Sequence, residues 1–189
     1  MYDQIYSEFE VKNTSIKFNG TEETAEKVGC VGTLEETMNV KTITKKCEGI
    51  VTKTVIKGDG TGELKITAHM RYDLFLKSYG MLSDGFKTGV YAYGRDSIHK
   101  PLCLTCEVFD EDGVKKYKAY PNCVVSSGMA RKIENGAEEV AEMELTLFVM
   151  PDELGNGMYE AIDSESLDET LKSKWITNFN AELVKQVQA

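Results

Sequence analysis

The chain has 189 residues, a formal net charge of −9 and a pI near 4.9, with 41% hydrophobic and 28% charged residues. That length and balance suit one domain that buries its own core, and they argue against global disorder. The acidity argues against a protein that wraps nucleic acid, since phosphate binding needs a basic footprint.

The N-terminal stretch MYDQIYSEFEVKN has no basic n-region and no apolar h-region, so no signal peptide is expected. No apolar run approaches the roughly 18 residues of a membrane span. Cys30, Cys47, Cys103, Cys106 and Cys123 make an odd number and are expected to stay reduced in a cytoplasm.

TSIKFNG alternates as a strand and ends at Gly20. A long stretch from Val31 to Met70 is rich in threonine, valine and isoleucine, as pleated strands prefer. Residues 50–57 and 62–70 read as two strands joined by the turn KGDGTGE. In the second, Leu64, Ile66, Ala68 and Met70 share one face. GDGTG lacks the Lys-Ser/Thr of a phosphate loop.

RYDLFLKSYGM changes period, and Leu74, Phe75, Ser78 and Tyr79 at helical spacing predict one helix stopped by Gly80. TGVYAYGR (88–95) reads as a strand. LCLTCEVF alternates too, which sets Leu102, Leu104, Cys106 and Val108 against Cys103, Thr105, Glu107 and Phe109. Cys103 and Cys106 have Cys-x-x-Cys spacing, yet on a strand they lie about 10 Å apart and face opposite sides. Thiol activation also wants a helix N-terminus, and zinc wants about four converging ligands. Structural cysteines are expected, Cys106 as a small buried hydrophobe and Cys103 on the polar face, toward solvent or a neighbouring subunit. DEDGV departs from a calcium loop at Val114, so a turn is expected.

Two further strands, over VKKYKAYPNCVVSSGMARKI and AEEVAEMELTLFVM, are expected as a hairpin with Asn-Gly in ENGAE at its tip. Glu142, Glu144 and Thr146 then share a face opposite Ala141, Met143, Leu145, Leu147 and Val149. That face is either a solvated surface or an acidic wall toward something that must not stick, such as DNA. Ser166 and Glu169 form a capping box, so a helix should start near Leu167 and run toward Trp175. The sum is a mainly β protein, an antiparallel β-sandwich or barrel with one or two flanking helices. No serine, histidine or carboxylate constellation points to catalysis, and no metal or cofactor is expected.

GELKITAHMRYDLFLKSYGM, PNCVVSSG, RKIENGAEEVAE and MPDELGNGMYEA resemble the major tail proteins of long, non-contractile-tailed phages and prophages of Gram-positive bacteria, of the phi13 type. The resemblance covers about residues 29–185, as runs in order. It implies a single tail-tube domain over 1–189 with arms at about 1–13 and about 176–189, a β-sandwich with a flanking helix that forms hexameric rings. Stacked rings would make a conduit for genome ejection, without catalysis, in the virion tail after assembly in the host cytoplasm. The implied partners are the chain itself, a tape-measure protein, tail terminator and tail-tip proteins, and DNA passing without specific binding. No membrane anchor is implied. The alternative is a tube subunit of a secretion or extracellular injection apparatus with protein cargo. On this reading Glu138, Glu142 and Glu144 face the lumen. The stretch 35–50, with Glu35, Glu36, Lys41, Lys45 and Lys46, contributes an inter-ring loop.

Overall fold

The structure is a computed structural model and describes residues 5–136 and 138–186. In chain order it has β1 (Glu10–Phe18), β2 (Glu26–Lys27), β3 (Gly29–Cys47), β4 (Ile50–Met70) and α1 (Tyr72–Ser78). Then come β5 (Leu102–Phe109), β6 (Lys115–Val125), β7 (Met143–Val149), β8 (Tyr159–Ile162), α2 (Glu169–Asn178) and a 3-10 turn, Ala181–Val184. Strand pairing is antiparallel in the order β2-β1-β5-β6-β7-β4-β3, with β8 beside β6.

β6 turns this continuous pairing into two layers. Its first half, Lys116 to Ala119, pairs with β8, and its last residues, Cys123 to Val125, pair with β7. Pro121 sits at the handover, where a residue without an N–H interrupts a ladder at least cost. Between the layers, Leu64, Ile66, Ala68, Met70, Leu145, Leu147 and Val149 meet Ile16, Phe18, Leu102, Leu104 and Tyr120 in one core. α1 closes one end with Leu74, Phe75 and Tyr79. Fully burying an aliphatic or aromatic side chain of this size contributes about 1.5–3 kcal/mol.

A second, smaller core lies outside the β5–β6 layer, where α2 places Trp175 and Phe179 on Cys103, Tyr117 and Ala119. The Trp175 indole N–H donates to the Lys118 carbonyl at 3.1 Å. Cys103 is therefore only 5% exposed: the face expected to be polar has an apolar cover.

The mainly β, antiparallel fold with flanking helices and the α1 helix agree with the sequence reading. Four local expectations are corrected. GDGTG is no hairpin turn, because β4 runs through it while paired to the long β3. TGVYAYGR forms turns and a single bridge, Leu82↔Ala92, with Tyr91 edge-on to Tyr72 and Tyr93 edge-on to Tyr79 and tilted against His99 instead of entering a ladder. β6 and β7 do pair, but β6 ends at Val125 and β7 begins at Met143, so Asn135-Gly136 lies in a long connection and not at a tight tip. α2 begins two residues after Leu167, and its cap is Asp168, whose carboxylate accepts from the Leu171 N–H at 2.9 Å. Ser166 bonds Ser164 instead.

Of the terminal arms, residues 1–4 and 187–189 lie outside the described residues. Residues 176–178 complete α2, and Phe179, Leu183 and Val184 pack back onto the second core.

Candidate assembly surfaces

β3 and β4 continue well past the body. Every residue from 39 to 59 is exposed, yet pairing persists to Cys47↔Ile50. The tip is the two-residue turn Glu48-Gly49, with φ of 50° and 83°. Two positive φ values match the twist of the flanking strands, at a local strain cost for the glutamate. From Val40 to Cys47 the ribbon projects about 25 Å, at roughly 3.3 Å per residue. Lys41↔Lys57, Ile43↔Val55 and Lys45↔Lys53 share one face. Val40, Thr42, Thr44, Thr54 and Ile56 occupy the other. Ile56 is 66% exposed and Val40 63%, in a two-stranded ribbon that is at best marginally stable alone.

Glycines set the root of this arm. Between the pairs Met38↔Gly62 and Val40↔Gly58, β4 has three intervening residues to β3's one. The Asp59 carboxylate accepts from the Thr61 N–H at 2.9 Å and its hydroxyl at 2.8 Å, and Asn39 donates to that hydroxyl at 3.0 Å. The 151–157 loop presses on this bulge. A Cβ on Gly60 would lie 2.8 Å from the Gly155 carbonyl oxygen, and one on Gly157 would collide with the Gly60 carbonyl oxygen. The loop is itself braced: Asp152 accepts from the Leu154 and Asn156 N–H groups at 2.9 and 3.0 Å and from the Tyr159 hydroxyl at 2.6 Å. GDGTG and MPDELGNGM thus form one joint that aims the arm.

A buried ion cluster joins the body to the N-terminal segment and to β3. Lys118 is 1% exposed, on the same side of β6 as Tyr120. Its ammonium lies 2.7 Å from Glu8 and 2.8 Å from Glu36, and the Tyr120 hydroxyl donates to Glu36. Lys116 reaches Glu8 at 2.6 Å and Glu160 at 3.2 Å, under the Tyr6 ring. Burial works against the Lys118 charge, but hydrogen bonds and charge from Glu36 and Glu8 outweigh it and raise its pKa. For Glu8, burial works to raise the pKa, and Lys116 and Lys118 bring it below the usual value. This cluster escaped the sequence reading, because KKYKAY looks like a solvated alternation. The parity of Lys116 and Lys118 with Tyr120 was the one signal for it.

The outer face of β7-β4-β3 is a wall of mostly acids and hydroxyls, with Lys65 and Phe148 among them. Its rows are Glu144, Thr67 and Thr33; Thr146, Lys65 and Glu35; and Phe148, Glu63 and Thr37. The Glu142 carboxylate reaches this face too, since a Cβ on Gly32 would lie 2.8 Å from its Cδ. Glu138 lies off the wall, in the 126–142 connection. Among residues 35–50, Lys41, Lys45 and Lys46 are on the arm, which is a strand-paired ribbon and not a loop. Glu35 stands on the wall, and Glu36 points inward to Lys118.

All five cysteines are free. Burial pushes the thiols of Cys103 and Cys106 up to about 12, and that of Cys123 up as well, the opposite of thiol activation. Among the described residues no group of three or more His, Cys, Asp or Glu side chains is placed to hold a metal ion. None of the described helices is long and apolar enough to cross a membrane.

No family model and no curated protein matches the chain. Among solved structures, it is similar to a chain of the anti-feeding prophage baseplate, with 12% identity and a TM-score of 0.43 over 85% of this chain and 97% of that one. It is also similar to a chain of the anti-feeding prophage cap, described as a tube terminating cap, with 9% identity and a TM-score of 0.44 over the same shares.

Proposed function

We propose that this chain is a structural subunit of a phage-type tail tube, in which hexameric rings stack into a conduit for genome ejection. The observation that carries the reading is the β3–β4 arm. A fully exposed ribbon with apolar side chains on both faces, held by a glycine joint, has little use in a monomer. It suits a subunit that grips the next ring. The resemblance of the sequence to major tail proteins supplies the class. Partners are then further copies, a tape-measure protein inside, and terminator and tip proteins at the ends. The β7-β4-β3 wall faces the lumen, with Glu142 and Glu144 on it and Glu138 at its rim. Carboxylates there repel phosphates, so DNA slides without being held by counterion release.

Electron microscopy of concentrated protein tests this, with wild type expected to form tubes or six-fold rings. Replacing residues 41–57 by a two-residue turn removes only exposed side chains, so the body should keep its stability while stacking is lost. Tubes from the shortened chain would show that the arm does not stack the rings. In a particle carrying Glu142→Lys and Glu144→Lys, tubes should assemble and DNA release should slow. An unchanged release rate would overturn the lumen assignment.

A further inference from the structure

We infer that the lysine face of the arm docks on the acidic, apolar connection between β6 and β7 of a second copy of this chain, in a head-to-tail contact. The inference rests on the stacking reading above and names both halves of the contact. The arm face places Lys41 opposite Lys57 and Lys45 opposite Lys53, with Ile43 and Val55 between. Like charges directly across a ladder destabilise it, so this face is unfavourable until a partner supplies acid. Residues 39–59 hold five lysines against Glu48 and Asp59, a net charge of +3 in a chain of −9, which leaves −12 on the rest.

The matching surface is net acidic, with Glu134, Glu138, Glu139 and Glu142 against Arg131 and Lys132. In the limbs 131–136 and 138–142 of the connection, Ile133 is 89% and Val140 83% exposed. Around them stand Glu134, Glu138 and Glu139, all exposed, with Glu134 in an ion pair with Lys132 at 2.7 Å. Two exposed apolar side chains with a net acidic rim face two apolar side chains ringed by lysines, which gives both burial and charge matching.

The register places these surfaces at opposite ends of the body. β4 enters the body at Gly62, beside Val149, and leaves it at Ala68, beside Met143. The arm projects beyond the Gly62 end, while the connection ends at Met143, the other end. An arm therefore points away from its own connection, and its target belongs to another copy. A contact between two different patches at opposite ends repeats without closing on itself and builds a stack. The arm's reach of about 25 Å is comparable to the body, which β4 crosses from Gly62 to Ala68 in roughly 20 Å, at about 3.3 Å per residue.

Charge reversal on the full chain tests the contact. The arm variant Lys41→Glu, Lys45→Glu, Lys53→Glu and Lys57→Glu should lose self-association in sedimentation velocity and stacks in electron microscopy. The connection variant Glu134→Lys, Glu138→Lys and Glu139→Lys should lose them too. A chain with both sets, and a mixture of the two single-set variants, should regain them, since reversed charges again match. At concentrations too low for association, all variants should keep the wild-type thermal midpoint, because every changed side chain is exposed. Loss in the arm variant without rescue by the double set would overturn the connection as acceptor while leaving the tube reading intact. Unchanged stacking in either single-set variant would also overturn the contact. Wild type that never associates would overturn both readings.

Discussion

Lys118 offers the sharpest test of how the fold is held together. Its ammonium is 1% exposed and has Glu8 and Glu36 within 2.8 Å, while the Glu8 and Glu36 side chains are 43% and 28% exposed. Removing the lysine as Lys118→Met leaves two carboxylates that water can reach, at a cost of about 1–2 kcal/mol. Glu8→Gln or Glu36→Gln alone leaves the ammonium one carboxylate, again about 1–2 kcal/mol. Changing both glutamates strands a buried ammonium, which costs about 3–5 kcal/mol. The double change should therefore exceed the sum of the single changes, a coupling that a double-mutant cycle reads directly. With a urea slope of about 2 kcal/mol/M, the double variant should unfold roughly 1.5–2.5 M earlier than wild type. Fluorescence of Trp175, the one tryptophan, reports the transition. A double variant no worse than the summed singles, or less harmed than Lys118→Met, would refute the claim that the lysine is the desolvated partner.

The same cluster gives the molecule an acid sensitivity of known sign. The folded-state pKa of Glu8 lies below its ordinary value of 4.5, so its stabilisation is present above that pH and is lost as pH falls through the folded value. Urea midpoints of wild type should fall below about pH 4.5, and those of Glu8→Gln should fall less over the same range. At pH 8, a thiol with a pKa of about 12 is ionised in roughly one molecule in ten thousand. Iodoacetamide should thus label Cys30 and Cys47 in the native protein, and Cys103, Cys106 and Cys123 only after unfolding. Fast native labelling of Cys103 would contradict its cover by α2. Gly157→Ala drives a methyl into the Gly60 carbonyl and should cost about 1–3 kcal/mol by overpacking. Limited proteolysis should then cut the arm faster, whereas unchanged cleavage would show that the joint does not aim it.

Local pattern was enough for much of the architecture. Alternation of Leu64, Ile66, Ala68 and Met70, and of Leu102, Leu104, Cys106 and Val108, set the inward faces, because a strand's period of two is a local property. The helical spacing of Leu74, Phe75, Ser78 and Tyr79 marked α1 for the same reason. Glu142 and Glu144 were legible as one acidic edge, since parity orients a strand once its apolar side is known.

What covers a face is not a local property. Cys103 stands on the side that alternation marks as polar, and only α2, about 70 residues later in the chain, makes it interior. Lys116 and Lys118 look solvated in KKYKAY until Glu8 and Glu36 arrive from 108 and 82 residues away. GDGTG reads as a turn until the nineteen-residue β3 pairs along both sides of it and the 151–157 loop closes on its glycines. Local alternation and helical spacing were sufficient for the inward faces, the mid-chain helix α1 and the predominance of strands. Tertiary structure alone decided that a ribbon leaves the body, where it is aimed, and which charges are buried, because those depend on contacts between residues far apart in the chain.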